Sequence, residues 1–336
     1  MLIKSIFKKI LPKKLRNLRH LFYAWYGAVK YHHPSNEMLV IGVTGTSGKS
    51  STIHFLRQML ESADYKVGLL STVDFYIAGE QKLNDKKMTM LGKMEIQRYL
   101  RQMADAGCRI AIVETTSEGY LQYRNRFINY DMMILTNLYP EHIESHGGFE
   151  NYKKAKLKIF EYAANHKSKI IPCLPAGRNL KSIEKTAIVN GNSEYCDEFL
   201  KFNFAMKIVF DREDQKSFCS HISRITYHVS ATNVGVSEEG LMFTVAEREF
   251  APRLFGEHNI MNVLAAMSVL RALDVSWSAI EKAVNELKSV PGRIEFIQEA
   301  EEKGFKVIVD YAFEPVALAA LYQVADLLKP KRVIHV

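Results

Sequence analysis

Apolar positions divide this chain into alternating runs of two kinds. Val40-Ile41-Gly42-Val43 is a short β-branched run, and Ile53, Leu56, Met59 and Leu60 then recur at helical spacing. Residues 66–72 read as a second strand, 79–87 as a polar loop and 95–106 as a helix. Residues 109–113 form a buried-strand run that ends at Glu114, and 132–135 another that ends at Thr136-Asn137; 151–163 is helical again. This alternation predicts an α/β fold with a mostly parallel sheet flanked by helices. In such sheets ligands gather beyond the carboxyl ends of the strands, where the glycine-rich stretch after Val43, Glu114 and Asn137 all fall. Further on, residues 225–229 and 241–245 predict a small antiparallel annex, and 259–273 and 278–287 two helices. Pro291-Gly292-Arg293 reads as a junction. A strand (306–310), a helix (315–328) and a strand (332–336) follow it, the start of an incomplete Rossmann-like domain. The expected division is residues 1–37, 38–292 and 293–336. One β-α-β unit leaves its sheet short of partners, so the chain is expected to be truncated relative to a complete enzyme.

Composition changes this picture in two places. A chain of 336 residues exceeds one average core, while 47% hydrophobic and 24% charged residues are ordinary for a globular protein. Cys108, Cys173, Cys196 and Cys219 show no C-x-x-C pairing, which predicts reduced thiols, a cytoplasmic setting and no thiolate metal site. The net charge of +8 belongs to residues 1–36, which hold eight Lys and Arg and no acid; residues 37–336 balance 37 against 37. The body therefore lacks the basic excess of a nucleic-acid binder. Within the basic segment Leu15, Leu18, Phe22, Trp25 and Val29 share one helical face, with Lys13, Lys14, Arg16 and Arg19 mostly off it, and Pro12 starts the helix. Two readings stay open: peripheral contact with an anionic membrane surface, or an apolar stripe packed on the next domain with its basic face in water. A signal peptide does not fit, because the apolar stretch 21–29 is short and Tyr31-His32-His33-Pro34 follows it.

The chemistry concentrates in Gly42-Val43-Thr44-Gly45-Thr46-Ser47-Gly48-Lys49-Ser50-Ser51. Strand, glycine loop and helix in that order bring backbone N–H groups and a helix N-terminus to an anion. Lys49 can reach terminal phosphates and Ser50 can ligate Mg²⁺, so the loop predicts a bound nucleoside triphosphate. It is a variant loop, since Val43 stands where the common pattern has its first glycine. The stretch from Thr136 to Gly147 adds Glu141, His142, Glu144 and His146, which with Glu114 supply oxygen and nitrogen donors for a Mg²⁺ site. The lysine-rich run Tyr152-Lys153-Lys154-Ala155-Lys156 reads by spacing alone as a solvated helix face.

These segments resemble the Mur ligase family, ATP-dependent amide-forming enzymes of cell-wall peptide synthesis. The resemblance rests on the loop from Gly42 to Ser50, Val113-Glu114-Thr115-Thr116-Ser117, Thr136-Asn137-Leu138, His142, His146-Gly147 and Tyr152-x-x-Ala155-Lys156. It continues through Gly256-x-His258-Asn259-x-x-Asn262, Pro291-Gly292-Arg293-x-Glu295 and Asp310-Tyr311-Ala312, in family order over residues 38–336. It implies ATP and Mg²⁺ as cofactors, with a muramoyl peptide and an amino acid as substrates. Lys49 with the amides of Gly45, Thr46, Ser47, Gly48, Ser50 and Ser51 would hold phosphates. Ser50 and Glu114 would serve one Mg²⁺; His142 and a carbamylated Lys156 would serve a second. Lys49, Lys156, His142 and Glu114 are the implied catalytic set. Asn137 and Asn262 would meet adenine, Arg293 the phosphates and Asp310 the ribose. Departures from the family pattern include Ser47, Leu91, Glu118, Glu141, Asn190-Gly191-Asn192 and Phe313; they leave the phosphate and metal set intact. The family's first, uridine-binding domain has no counterpart here. A folylpolyglutamate synthase-like ligase and a non-catalytic ATP-binding module are the rival readings.

Overall fold

The computed structural model describes residues 13–86, 88–141, 143–169, 184–220, 225–312 and 315–336. The elements in chain order begin with α1 (Lys13–Lys30), β1 (Leu39–Thr44), α2 (Lys49–Ser62), β2 (Val67–Leu70), β3 (Asp74–Ile77) and β4 (Glu80–Leu83). Next come α3 (Lys93–Asp105), β5 (Ile110–Glu114), α4 (Ser117–Leu121), β6 (Met132–Leu135), α5 (Ile143–His146) and α6 (Phe149–Ala164). The remainder holds β7 (Thr186–Asn190), α7 (Cys196–Leu200), β8 (Met206–Arg212), β9 (Tyr227–Ser237), β10 (Gly240–Val245) and β11 (Arg248–Phe250). It ends with α8 (Asn259–Ala272), α9 (Trp277–Asn285), β12 (Glu295–Phe296), α10 (Gln298–Glu301), β13 (Ile308–Val309) and α11 (Pro315–Leu327).

The chain gathers into two compact units interleaved in sequence. The first takes in the chain up to Thr44, Lys66–Met133 and Pro140–Lys185. Its strands lie in the order β1-β5-β2-β3-β4, parallel from β1 through β5 to β2 and antiparallel at β3 and β4. β1, β2 and β5 are buried along their whole length, as central parallel strands covered on both faces must be. Register sets Val43 opposite Glu114, so β1 and β5 finish side by side. The stretch read as a polar loop over 79–87 instead contains β4. Ala78 and Gly79 both take positive φ (52° and 109°), which closes a two-residue hairpin turn between β3 and β4. All four β4 residues are exposed, so no apolar alternation marks the strand.

Helix α1 packs on α3, but not through its apolar stripe. Ala24, Gly27 and Ala28 are buried, while Leu18, Phe22, Trp25 and Val29 stand in solvent. A Cβ on Gly27 would lie 3.1 Å from Met94 Cα, so the absence of a side chain lets the helices close. The packing reading of the stripe is therefore corrected: small residues, on the opposite face, make the contact. Deeper in this unit the buried Asp131 carboxylate accepts from Val40 N at 2.8 Å. Lys169 Nζ meets it at 2.8 Å and Lys185 Nζ at 3.2 Å. Lys185 also donates to Asn129 Oδ1 at 2.6 Å. One carboxylate thus ties β1 to the residues that flank α6 and precede β7.

The second unit takes in Gly45–Tyr65, Ile134–Tyr139 and Thr186–Val336. Here β7, β8 and β9 run parallel, with β10 and β11 added antiparallel beyond them. α8 is apolar nearly all round and packs on α2 and on the β7–β9 sheet. The predicted antiparallel annex appears as β9 and β10. The chain near its end departs from expectation. β13 pairs antiparallel with β12 (Glu295 with Val309, Phe296 with Ile308), and residues 332–336 form no strand. A strand exists only through its ladder, and among the described residues none is offered to 332–336. The cysteine reading is also corrected. Cys196 and Cys219 form a disulfide with Cα atoms 5.6 Å apart, Cys108 is buried outside that bond, and Cys173 lies outside the described residues. The fold brings α7 beside the segment after β8 across 23 residues, a proximity that spacing does not reveal.

Two buried lysines facing one carboxylate make Asp131→Asn strongly destabilising, by about 3–5 kcal/mol in urea unfolding, because both cations lose their counter-charge. Burial, opposed by Asp131, lowers Lys169 from 10.5 to about 8. Between those values the unfolded chain binds more protons, so stability rises with pH across that window and the penalty is complete below it. Lys169→Met should flatten that part of the pH–stability curve.

Candidate functional site

Beyond β1 the chain turns through Gly45-Thr46-Ser47-Gly48 into α2, which opens with Lys49, Ser50 and Ser51. Gly48 sits at φ 75° as the residue before the helix, a conformation that favours glycine. The Lys49 ammonium folds back to the Gly45 and Thr46 carbonyls at 3.1 and 2.8 Å, across the loop that the helix N-terminus faces. The first N–H groups of α2 have no partner within the helix and carry its positive end. Lysine, amides and hydroxyls are thus gathered at the start of α2.

Residues from distant sequence hold that loop. Asn137 Oδ1 accepts from Thr46 N at 3.0 Å and Ser47 N at 2.9 Å, and its Nδ2 donates to Ser47 Oγ at 3.0 Å. Thr136 Oγ1 donates to Ser47 O at 2.7 Å. A Cβ on Gly45 would fall 1.8 Å from Thr136 Oγ1, and one on Gly48 would fall 2.4 Å from Asn262 Oδ1. Asn262 in turn accepts from Thr52 Oγ1 at 3.1 Å and donates to Asn259 Oδ1 at 2.9 Å. Asn190 Nδ2 donates to Thr136 O at 2.7 Å. Asn137 therefore braces the loop, and Asn262 lies against Gly48, with the same side-chain amides that the resemblance assigned to adenine. Thr136, Asn190 and Asn259 are supporting residues that the sequence reading did not single out. Thr136 and Asn259 lay inside quoted motifs, and Asn190 was named only as a departure from the family pattern.

Arg293 and Asp310 meet in the same unit. Asp310 Oδ2 accepts from Ile294 N at 2.7 Å, Glu295 Oε2 accepts from Gly292 N at 2.7 Å, and the Arg293 guanidinium lies 5.2 Å from the Tyr311 ring centroid. Arg293 and Ser51 line one small cleft with Phe55, Phe255, Asn259 and Ile294. That cleft brings the junction arginine to the first turn of α2.

The remaining residues of the implied set belong to the first unit. Glu114, almost fully buried, accepts from Thr72 N at 2.7 Å and Thr72 Oγ1 at 2.9 Å. Lys156 is buried on α6; it donates to Thr44 Oγ1 at 3.4 Å and sits 4.6 Å above the Tyr152 ring. Thr44 is the residue before Gly45. The expectation of a solvated lysine face thus fails at Lys156, which turns inward, while Lys158 on the next turn is exposed. His142 lies outside the described residues. Among the described residues no three His, Cys, Asp or Glu cluster to hold a metal. The hard oxygens of Glu114 nevertheless suit Mg²⁺, which commonly takes one or two carboxylates with phosphate oxygens. An ammonium at Lys156 would repel that ion, and a carbamate would ligate it.

Fold and loop together define an α/β protein with a glycine-rich loop between a strand and a helix. The profile of the Mur ligase middle domain matches residues 43–270, and the chain belongs to the Mur ligase family. It is 32% identical over 315 residues to a UDP-N-acetylmuramyl-tripeptide synthetase of Roseiflexus sp., covering 92% of this chain and 58% of that one. A UDP-N-acetylmuramoyl-L-alanyl-D-glutamate–2,6-diaminopimelate ligase of Clostridium botulinum is 28% identical over 310 residues, covering 91% and 57%. The chain thus spans little more than half the length of these relatives. A solved structure of a ligase with that latter name superposes with a TM-score of 0.66 at 21% identity, over 86% of this chain and 54% of that one, a likeness of fold.

Asn137→Ala should remove the brace without touching the core. Amide exchange at Ser47 is expected to quicken roughly 10-fold, the worth of one hydrogen bond, while Thr46 N keeps its bond to the Asn137 carbonyl at 3.1 Å. Hydrogen-exchange mass spectrometry would read this, with the global unfolding midpoint unchanged.

Proposed function

We propose that this chain binds Mg·ATP and serves an ATP-dependent amide ligation that joins an amino acid to a muramoyl peptide in peptidoglycan precursor synthesis. The reading places it in the cytoplasm. The observation that carries it is the glycine loop with Lys49, braced by Thr136 and Asn137, in a chain of this family.

The residues divide the work as follows. Gly45, Thr46, Ser47, Gly48, Ser50 and Ser51 offer backbone N–H and hydroxyl donors to the phosphates. Lys49 leaves the Gly45 and Thr46 carbonyls for the terminal phosphates. Asn137 keeps the loop in shape and Asn262 lies against Gly48, both beside the nucleotide, while Arg293 approaches its phosphates and Asp310 its ribose. Mg²⁺, held by Ser50, Glu114, His142 and Lys156 as a carbamate, would neutralise charge on the transferring oxygens. A substrate carboxylate oxygen attacks the γ-phosphorus, and ADP leaves with the electrons of the bridging P–O bond. The amine nitrogen then attacks the acyl carbon, the C–O bond to phosphate breaks, and phosphate and a proton depart. Charge builds on oxygens in both steps, so preorganised cations and N–H donors supply most of the stabilisation.

Two variants test the assignment. Lys49→Ala should weaken Mg·ATP binding about 30-fold in calorimetry, the loss of one charge-assisted contact of about 2 kcal/mol. Lys156→Ala should keep ATP binding within a few-fold but abolish phosphate release stimulated by muramoyl peptide and amino acid, with partial rescue by a small added carboxylate. Equal ATP affinity in wild type and Lys49→Ala removes the nucleotide assignment. Phosphate release is read in the complete enzyme, where ATP binding with no substrate-stimulated release in the wild type leaves a nucleotide-binding module and removes the ligase.

A further inference from the structure

Helix α1 inverts the usual arrangement of an amphipathic helix. Its small residues Ala24, Gly27 and Ala28 face α3, and its large ones face water. Leu18 is 64% exposed, Phe22 53%, Trp25 46% and Val29 42%, with Leu15 and Tyr26 exposed beside them. Helical spacing puts these six on one continuous stripe opposite the packed face. The rings of Phe22, Tyr23, Trp25 and Tyr26 stand against one another, with Phe22 centroids 5.9–6.2 Å from the other three, and make a compact aromatic ridge. A contiguous apolar surface of this size on an ordered helix marks a docking face.

Charge selects the occupant. Residues 1–36 hold every basic residue in excess and no acid. Arg19 and Lys30, both exposed, sit along one edge of the stripe. Burial and the nearby cations Arg124 and Arg19 hold Lys93 at about 8, so positive potential extends from α1 onto the start of α3. A second copy of this chain would set like charges against like. An anionic bilayer offers both halves of the match: phosphates for the cations and an acyl boundary for Phe22, Trp25 and Leu18. Among the described residues no helix is long and apolar enough to cross a membrane, so α1 would lie in the interface plane.

We propose that α1 docks this protein on an anionic lipid surface, its aromatic stripe in the acyl boundary and its basic edge at the headgroups. This contact is independent of the nucleotide reading and should persist in Lys49→Ala.

The test uses the full chain with vesicles of phosphatidylcholine alone and of phosphatidylcholine with phosphatidylglycerol. Flotation should show binding to the mixed vesicles at low salt, falling as salt shortens the range of attraction. Brominated acyl chains should quench tryptophan emission, and Trp25→Phe should remove that quenching, since the chain has only two tryptophans. Phe22→Ser with Trp25→Ser should cut binding more than tenfold while the thermal midpoint holds, because both side chains are already in water. Arg19→Glu with Lys30→Glu should erase the preference for phosphatidylglycerol. The proposal is overturned if brominated lipid leaves Trp25 unquenched, if the double serine variant binds vesicles as wild type does, or if light scattering shows a lipid-free oligomer that the serine variant dissolves.

Discussion

Gly45 and Gly48 bring no side chains to hold the curvature of their loop, so its shape is imposed largely by what it touches. Gly45 runs so close to Thr136 that a methyl group would sit 1.8 Å from the threonine hydroxyl oxygen, and Asn137 then caps two successive N–H groups of the loop. The candidate site depends on this clamp. It makes the end of β6, far away in sequence, as much a part of the candidate site as the loop itself. A side chain at Gly45 or Gly48 would meet polar atoms that have bonds of their own to keep.

The parts visible in the sequence are those whose pattern is forced by burial. β1, β2, β5 and β6 are covered on both faces, and their apolar runs announced them. The loop was visible because glycine, lysine and hydroxyl at those spacings have few other uses. What stayed hidden depended on tertiary context. β4 is an exposed hairpin arm with no apolar face, and its signal was the Ala78-Gly79 turn alone. The buried run of β7 was lost among residues 172–250, where no motif framed it. The Cys196–Cys219 pair depends on a fold that places α7 beside the segment after β8. Asn137 and Asn262 were named from the resemblance, yet their contacts with the loop are a matter of distances that no motif encodes.

Lys156 shows how burial alters the meaning of a residue type. Lysines crowded into a short helical run read as solvation, and Lys154 and Lys158 obey that rule. Lys156 is enclosed, against a threonine hydroxyl and an aromatic face. Desolvating an ammonium is costly, and the hydroxyl and the ring face offset part of that cost. The carbamylation proposed above would turn this side chain into an oxygen donor, and Lys156→Ala is the variant that separates a ligase from a protein that only binds a nucleotide.

Helix α1 poses the opposite problem, apolar groups where water is. A stripe of large residues left in solvent is unfavourable in the isolated molecule, and a helix free to rotate about its axis would turn that stripe inward. It does not, because the inner face is already committed: Gly27 lies against the Met94 backbone so closely that any larger residue would push the helices apart. A bulky stripe could not occupy that interface without widening it and losing the Ala24 and Ala28 contacts. Close packing by small residues thus fixes the rotation of α1, and the fixed rotation is what keeps the aromatic ridge presented outward beside Arg19 and Lys30.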